Sequence, residues 1–158
     1  MSFTQAEQLP PLISNRNLSP IVNYMFAEPL CGDYLQMIDA KPAHVEFLKC
    51  RQGKDAQLNV LFAMYRVAGI YAQRVESYFV RVSGMRPLSR VAAIWESVPK
   101  DGRRFGYLAH HLWPQISQDA ANEFMVEMGT GETLQSRRDQ WKNIDWFYIR
   151  VTYFLESP

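Results

Sequence analysis

Apolar residues recur at helical spacing in two stretches of the chain. Tyr71, Val75, Tyr78, Phe79 and Val82 fall at i, i+4, i+7, i+8 and i+11, while Gln73, Arg74, Ser77 and Arg81 take the other side. This predicts a helix over 69–83 with one apolar face, closed by Gly84. Leu30, Tyr34, Leu35 and Ile38 repeat in the same way and predict a shorter helix near 30–39, ended before Pro42. Elsewhere the period is two. Val45 and Phe47 alternate with Glu46 over 43–51, and Leu58 to Val67 is apolar on both parities, as a central strand covered on both faces would be. Turn chemistry at Gln52-Gly53-Lys54-Asp55 joins the two into a hairpin. Further strands are expected over 88–96, around 105–112 and over 122–128, the last with Phe124, Val126 and Met128 inward and Glu123 and Glu127 outward. Ser136 and Asp139 have capping-box spacing for a helical turn through Trp141. The last segment, 144–155, puts Phe147, Ile149, Val151, Tyr153 and Leu155 on one face and Trp146, Tyr148, Arg150, Thr152 and Phe154 on the other. Residues 1–20, with Pro10, Pro11 and Pro20, lack periodicity and read as an irregular arm. The expectation is an irregular arm at 1–20 and a single α+β domain at 21–158. In that domain the helix at 69–83 packs on one face of an antiparallel sheet.

Composition narrows the function classes. With 47% hydrophobic, 21% charged and 13% aromatic residues in 158, the chain is globular and too apolar to be intrinsically disordered. No apolar run approaches the roughly 18 residues of a membrane span. A net charge of +1 gives no bulk argument for nucleic acid or membrane binding. The charge is segregated, however. Residues 1–48 hold two basic and five acidic side chains, net −3; residues 49–104 hold eleven and four, net +7; residues 105–136 hold four acids and no Lys or Arg. Such a dipolar surface suits a protein partner of matching pattern, although a solvated surface explains it as well.

Motifs that carry chemistry are few in this sequence. Cys31 and Cys50 form no CxxC, and with His44, His110 and His111 as the full histidine complement no structural zinc signature can be assembled. A disulfide between the two cysteines is geometrically possible. However, the start of the chain has neither a basic n-region nor an apolar h-region and does not read as a signal peptide. A reducing cytosol with two buried thiols is therefore the expectation. His110 and His111 would point to opposite faces of a strand and cannot chelate one ion together. Gly129-Thr130-Gly131-Glu132 lacks the Lys of a P-loop and the third Gly of a dinucleotide fingerprint, and GxSxG and HExxH are absent. No catalytic residue, metal or cofactor is expected. The four Trp residues with the arginines of the basic middle could stack bases, but core packing explains them better.

Several short blocks resemble one pattern: Phe47-x-x-Cys50, Tyr65-Arg66-Val67-Ala68-Gly69, Val75-Glu76-x-Tyr78-Phe79, Trp95-Glu96, Met128-x-x-x-Glu132-Thr133 and Trp141-x-x-Ile144-x-x-Phe147-Tyr148-x-x-Val151. Over about 30–155 they are similar to a family of small, uncharacterised bacterial proteins, usually exported and often lipid-anchored. The resemblance implies a compact α+β module that binds something. The chain departs from it in a start that does not read as an export signal, and in having Val91-Ala92-Ala93-Ile94 where the pattern carries a cysteine pair before Trp-Glu. At the level of class, small domains of this kind are similar to immunity proteins, which cover a cognate interbacterial toxin.

The expectation drawn from this is a non-catalytic, cytoplasmic protein-binding module, most concretely an immunity protein against a toxin encoded nearby. It would be a monomer or a homodimer. The candidate partner-binding residues are Arg103, Arg104, Tyr107, His110, His111 and Trp113, on an aromatic-rich connection at 99–121. Dimerisation through the exposed face of the last strand is a further possibility, since Trp146, Tyr148 and Phe154 would otherwise be wet. Two alternatives stand beside this reading. One is a small periplasmic envelope accessory protein, which an intact Cys31–Cys50 bridge would favour. The other is a ligand-binding domain or enzyme with a pocket between helix 69–83 and the sheet, using Arg66 and Glu76.

Overall fold

The computed structural model describes residues 29–99, 105–113 and 122–156; the arm expected at 1–20 lies outside them. After a four-residue helix α1 (Tyr34–Met37), the chain forms β1 (Glu46–Asp55), β2 (Leu58–Ala68), α2 (Gly69–Ser83), β3 (Ser89–Val91) and β4 (Ile94–Glu96). Then follow β5 (Gly106–Ala109), β6 (Glu123–Gly129), a 3₁₀ helix (Arg138–Asn143) and β7 (Trp146–Phe154). The seven strands make one antiparallel sheet in the order β1-β2-β7-β6-β4-β3, with β5 on β6 beside β4. The α+β architecture expected from the periodicities is the one found.

Helix α2 starts where β2 ends, with no linker. The Gly69 amide donates to the Ile144 and Asp145 carbonyls at 3.1 and 3.3 Å, so the helix N-terminus is hydrogen-bonded to the turn before β7. Gly84 closes the helix in the left-handed region at φ +73°. Its buried side is Ala72, Val75, Glu76 and Phe79; Val82, expected inward, is 40% exposed. Val82 falls in the last turn, between exposed Arg81 and half-buried Ser83.

The hairpin turn sits later than the sequence places it. Gln52–Asp55 remain paired in β1, and the reversal occurs at Ala56-Gln57, with φ of +49° and +75°. A two-residue turn with both central φ values positive matches the right-handed twist of the strands, which splaying at 52–55 would not. In β1 the register shifts between Phe47 and Lys49. This bulge at Leu48 gives the strand an extra residue, so Phe47 and Cys50 both pack on the core despite their odd spacing. The single strand expected at 88–96 is a hairpin, β3–β4, reversing at Ala92 with φ +54°.

Cys31 and Cys50 are joined in a disulfide with Cα atoms 5.5 Å apart, which corrects the expectation of free thiols. The geometry follows from two local features. The bulge turns Cys50 inward, and Asp33 anchors the preceding segment: its Oδ1 accepts from the Tyr65 hydroxyl at 2.8 Å and caps α1 at the Gln36 amide. The core between α2 and the sheet contains Tyr65, Val67, Phe79, Phe124, Phe147, Ile149 and Val151.

Candidate functional site

The six residues named from the sequence do not form one exposed patch. Arg103 and Arg104 lie outside the described residues. Tyr107 is on β5, half-buried, and His111 is exposed. His110 and Trp113 are 6% and 3% exposed. They close an aromatic cluster in which the His110 ring stacks on Phe124 at 4.1 Å and meets Trp113 edge-on at 5.6 Å. Burial, with a smaller contribution from His111, holds the His110 imidazole down at about 4. A neutral, stacked histidine and a core tryptophan are packing residues. Their aromatic character, read from sequence as an interface signal, serves the interior.

The pocket residues of the ligand-binding alternative are likewise separated. Ala72, Val75 and Phe79 fill the helix–sheet interface. Glu76 pairs with Arg138 through two contacts of 2.7 Å and accepts from the Leu88 amide at 2.7 Å. The bond to Glu76, more than any other influence, raises the Arg138 pKa above the ordinary guanidinium value. Arg66 points away from the helix and pairs with Glu46 at 2.7 Å.

Arg66 belongs to the other face of the sheet, which no described helix covers. The register builds this face in cross-strand rows. One row runs Glu96 (β4), Gly129 (β6), Tyr148 (β7), Arg66 (β2), Glu46 (β1). The next runs Glu127, Arg150, Met64, Lys49. A third, Tyr107, Met125, Thr152, Phe62, Arg51, is largely buried: Phe62 lies against Gly53 with the Arg51 and Arg150 guanidinium carbons 4.4 and 5.6 Å from its ring. The first two rows are wetter. Tyr148 is 41% exposed. Arg66 sits 3.8 Å over the Trp146 ring, and Arg150 pairs with Glu127 at 2.7 and 3.1 Å.

At the β4–β6–β7 corner these rows dip into a hollow of about 570 Å³, lined by Met64, Glu96, Val98, Glu127, Tyr148 and Arg150 over the backbone of Gly129–Gly131. Gly129 makes this corner possible. Among the described residues it is the one member of β6 that pairs with β4, and a Cβ there would lie 2.7 Å from the Trp95 carbonyl oxygen. The sequence did carry a signal for this face, in the outward parity of Trp146 and Tyr148 on the last strand. It carried none for the hollow, which depends on the β4–β6 pairing.

The chain is thus an α+β domain with one sheet face built around α2 and an arginine–aromatic surface at one corner of the other. Residues 23–95 match the model of a domain of unknown function, DUF4952. The match takes in α1, the β1–β2 hairpin, α2, β3 and the start of β4, less than half of the chain. It fits an uncharacterised family, and says nothing of origin or export. No curated protein and no solved structure matches the chain. Among the described residues no helix is long and apolar enough to cross a membrane, and no three or more His, Cys, Asp or Glu side chains are grouped to hold a metal ion.

Proposed function

We infer that this protein is a non-catalytic protein-binding module that docks its partner on the β4–β6–β7 corner of the uncovered sheet face. The observation that carries the reading is the composition of that corner. Tyr, Trp, Arg and Met are the types enriched at interface cores, and here Tyr148, Trp146, Arg66, Arg150 and Met64 meet on one surface around a hollow. The arginines are held by Glu46, Glu127 and aromatic rings, so little side-chain entropy remains to be lost on docking. In its most concrete form the module is an immunity protein that covers a cognate toxin. The test is to purify the tagged protein from its host at near-stoichiometric yield, and to ask whether any captured protein arrests growth when expressed without this chain. Recovery of the chain alone, in monodisperse form, contradicts the binding reading; capture of a partner harmless by itself contradicts only the toxin form.

The Cys31–Cys50 bridge favours a second reading, in which the module works in an oxidising compartment as an envelope accessory protein. Thiol counting on protein taken from the host under alkylating conditions decides it: no free thiol is expected, and two free thiols would remove its support.

A further inference from the structure

We propose that the hollow at the β4–β6–β7 corner is a socket for a basic side chain, arginine or lysine, presented by a protein partner. This rests on the protein-binding reading above and names the chemistry of its central contact.

Among the described residues the molecule repeatedly seats a guanidinium between a carboxylate and an aromatic ring. Arg66 lies 2.7 Å from Glu46 and 3.8 Å over Trp146; Arg138 lies 2.7 Å from Glu76 and 4.7 Å over Trp141. The row Glu96–Gly129–Tyr148 has the outer members of the same arrangement, a carboxylate and an aromatic ring, with glycine between them. Two strand spacings separate Glu96 from Tyr148, about 10 Å along the sheet, and the middle position contributes backbone only. That width admits a flat cation stacked on the Tyr148 ring with its edge toward the Glu96 carboxylate.

The surroundings fit a cation better than an anion or an apolar group. Glu127 and Arg150 neutralise each other across the neighbouring row, which leaves Glu96 as the uncompensated charge of the lining. The Glu96 side chain has no hydrogen-bond or ion-pair partner among the described residues, although it is half-buried. Met64, Ile94 and Val98 give the walls an apolar surface along which the stem of Arg or Lys can lie.

The experiment is a ¹⁵N-resolved NMR titration of the full chain with Nα-acetyl-arginine methylamide, the lysine analogue, and the neutral citrulline analogue. The expected result is saturable shifts of Glu96, Gly129–Gly131 and Tyr148 at millimolar arginine probe. At least fivefold weaker response to citrulline is expected, with loss of the effect in Glu96→Gln and Tyr148→Ala. Equal response to citrulline, shifts spread over every surface carboxylate, or persistence in Glu96→Gln each overturns the proposal. The partner-level arm separates this proposal from the reading beneath it. A partner captured equally well by wild type and Glu96→Gln overturns the socket while leaving protein binding intact. At least a tenfold loss of affinity in Glu96→Gln supports both.

Discussion

At the scale of single residues, burial decides which side chains support the fold and which are free to bind. Trp113, one of the residues the sequence marks as an interface anchor, is 3% exposed against Tyr34, His110 and Tyr153. Trp113→Ala should therefore cost about 3–5 kcal/mol of folding stability by leaving a cavity, read as a drop in the urea midpoint. A change within about 0.5 kcal/mol, the usual range for a surface substitution, would place it outside the core. His110 makes the same point through pH. Its imidazole is held at about 4 against an ordinary 6.5, so between those values the unfolded chain takes up a proton that the folded chain refuses. The stability contributed by neutral His110 is complete above pH 6.5 and is lost as pH falls toward 4, at up to about 1.4 kcal/mol per pH unit. Hydrogen bonds from Arg66 and Arg137 hold the Glu46 and Asp139 carboxylates below their ordinary values, so these groups also lose stability as pH falls, and the His110 share is isolated by substitution. Denaturation at pH 7 and pH 4.5 should show the loss in wild type and a flatter dependence in His110→Leu; parallel curves would show that another group is responsible.

At the scale of elements, two glycines give opposite tests of how α2 is set. Gly84 sits in the left-handed region, and a Cβ added there would meet nothing within 4 Å, so Gly84→Ala costs only backbone conformation, about 1 kcal/mol. Gly69 has φ in the ordinary range, but a Cβ there would run into the Trp141 and Ile144 carbonyls. Gly69→Ala should accordingly lower thermal stability by about 3 kcal/mol or more, through displacement of the 3₁₀ helix from the helix start. Similar losses for the two variants would contradict this assignment. Much of the element level was legible in the sequence. The 69–83 helix, its glycine stop, the central position of β2 and the two faces of β6 and β7 follow from periodicity alone, because each is long enough for burial to impose its period. The hairpin turn and the β1 bulge were not legible, since Ala56-Gln57 and Leu48 carry no turn or bulge signature and adopt those shapes to satisfy strand twist and the facing of Cys50. The candidate site was legible only in part: the outward Trp146 and Tyr148 could be read from one strand, whereas Glu96 and Gly129 join them through pairing between strands distant in sequence.

At the scale of the whole molecule, the sheet holds the fold and leaves one corner for contact. The Cys31–Cys50 bridge closes a 19-residue separation and ties the segment before α1 to the edge strand β1. On the chain-entropy model it contributes about 3 kcal/mol, so reduction should lower the unfolding free energy by that amount, read as a lower denaturant midpoint at unchanged slope, without loss of the native circular dichroism at zero denaturant. Asp33, Tyr65 and Lys41 hold the same segment by hydrogen bonds and an ion pair, which is why the reduced domain should remain folded. The charge pattern acts at this scale too: the basic middle of the chain supplies Arg66 at the uncovered face, and the acidic stretch supplies Glu127 beside Arg150 from the last strand. The measurement that tests the central claim most directly is quantitative capture of the partner from host extract by wild type and by Tyr148→Ala/Trp146→Ala. His111→Ala, at an exposed position just beyond β5 and outside the lining of the hollow, serves as the control. The account predicts one protein retained near one-to-one by wild type and by the control, with at least a tenfold weaker hold by the double variant at unchanged melting temperature. Equal retention by all three would contradict it and move the binding surface away from the β4–β6–β7 corner.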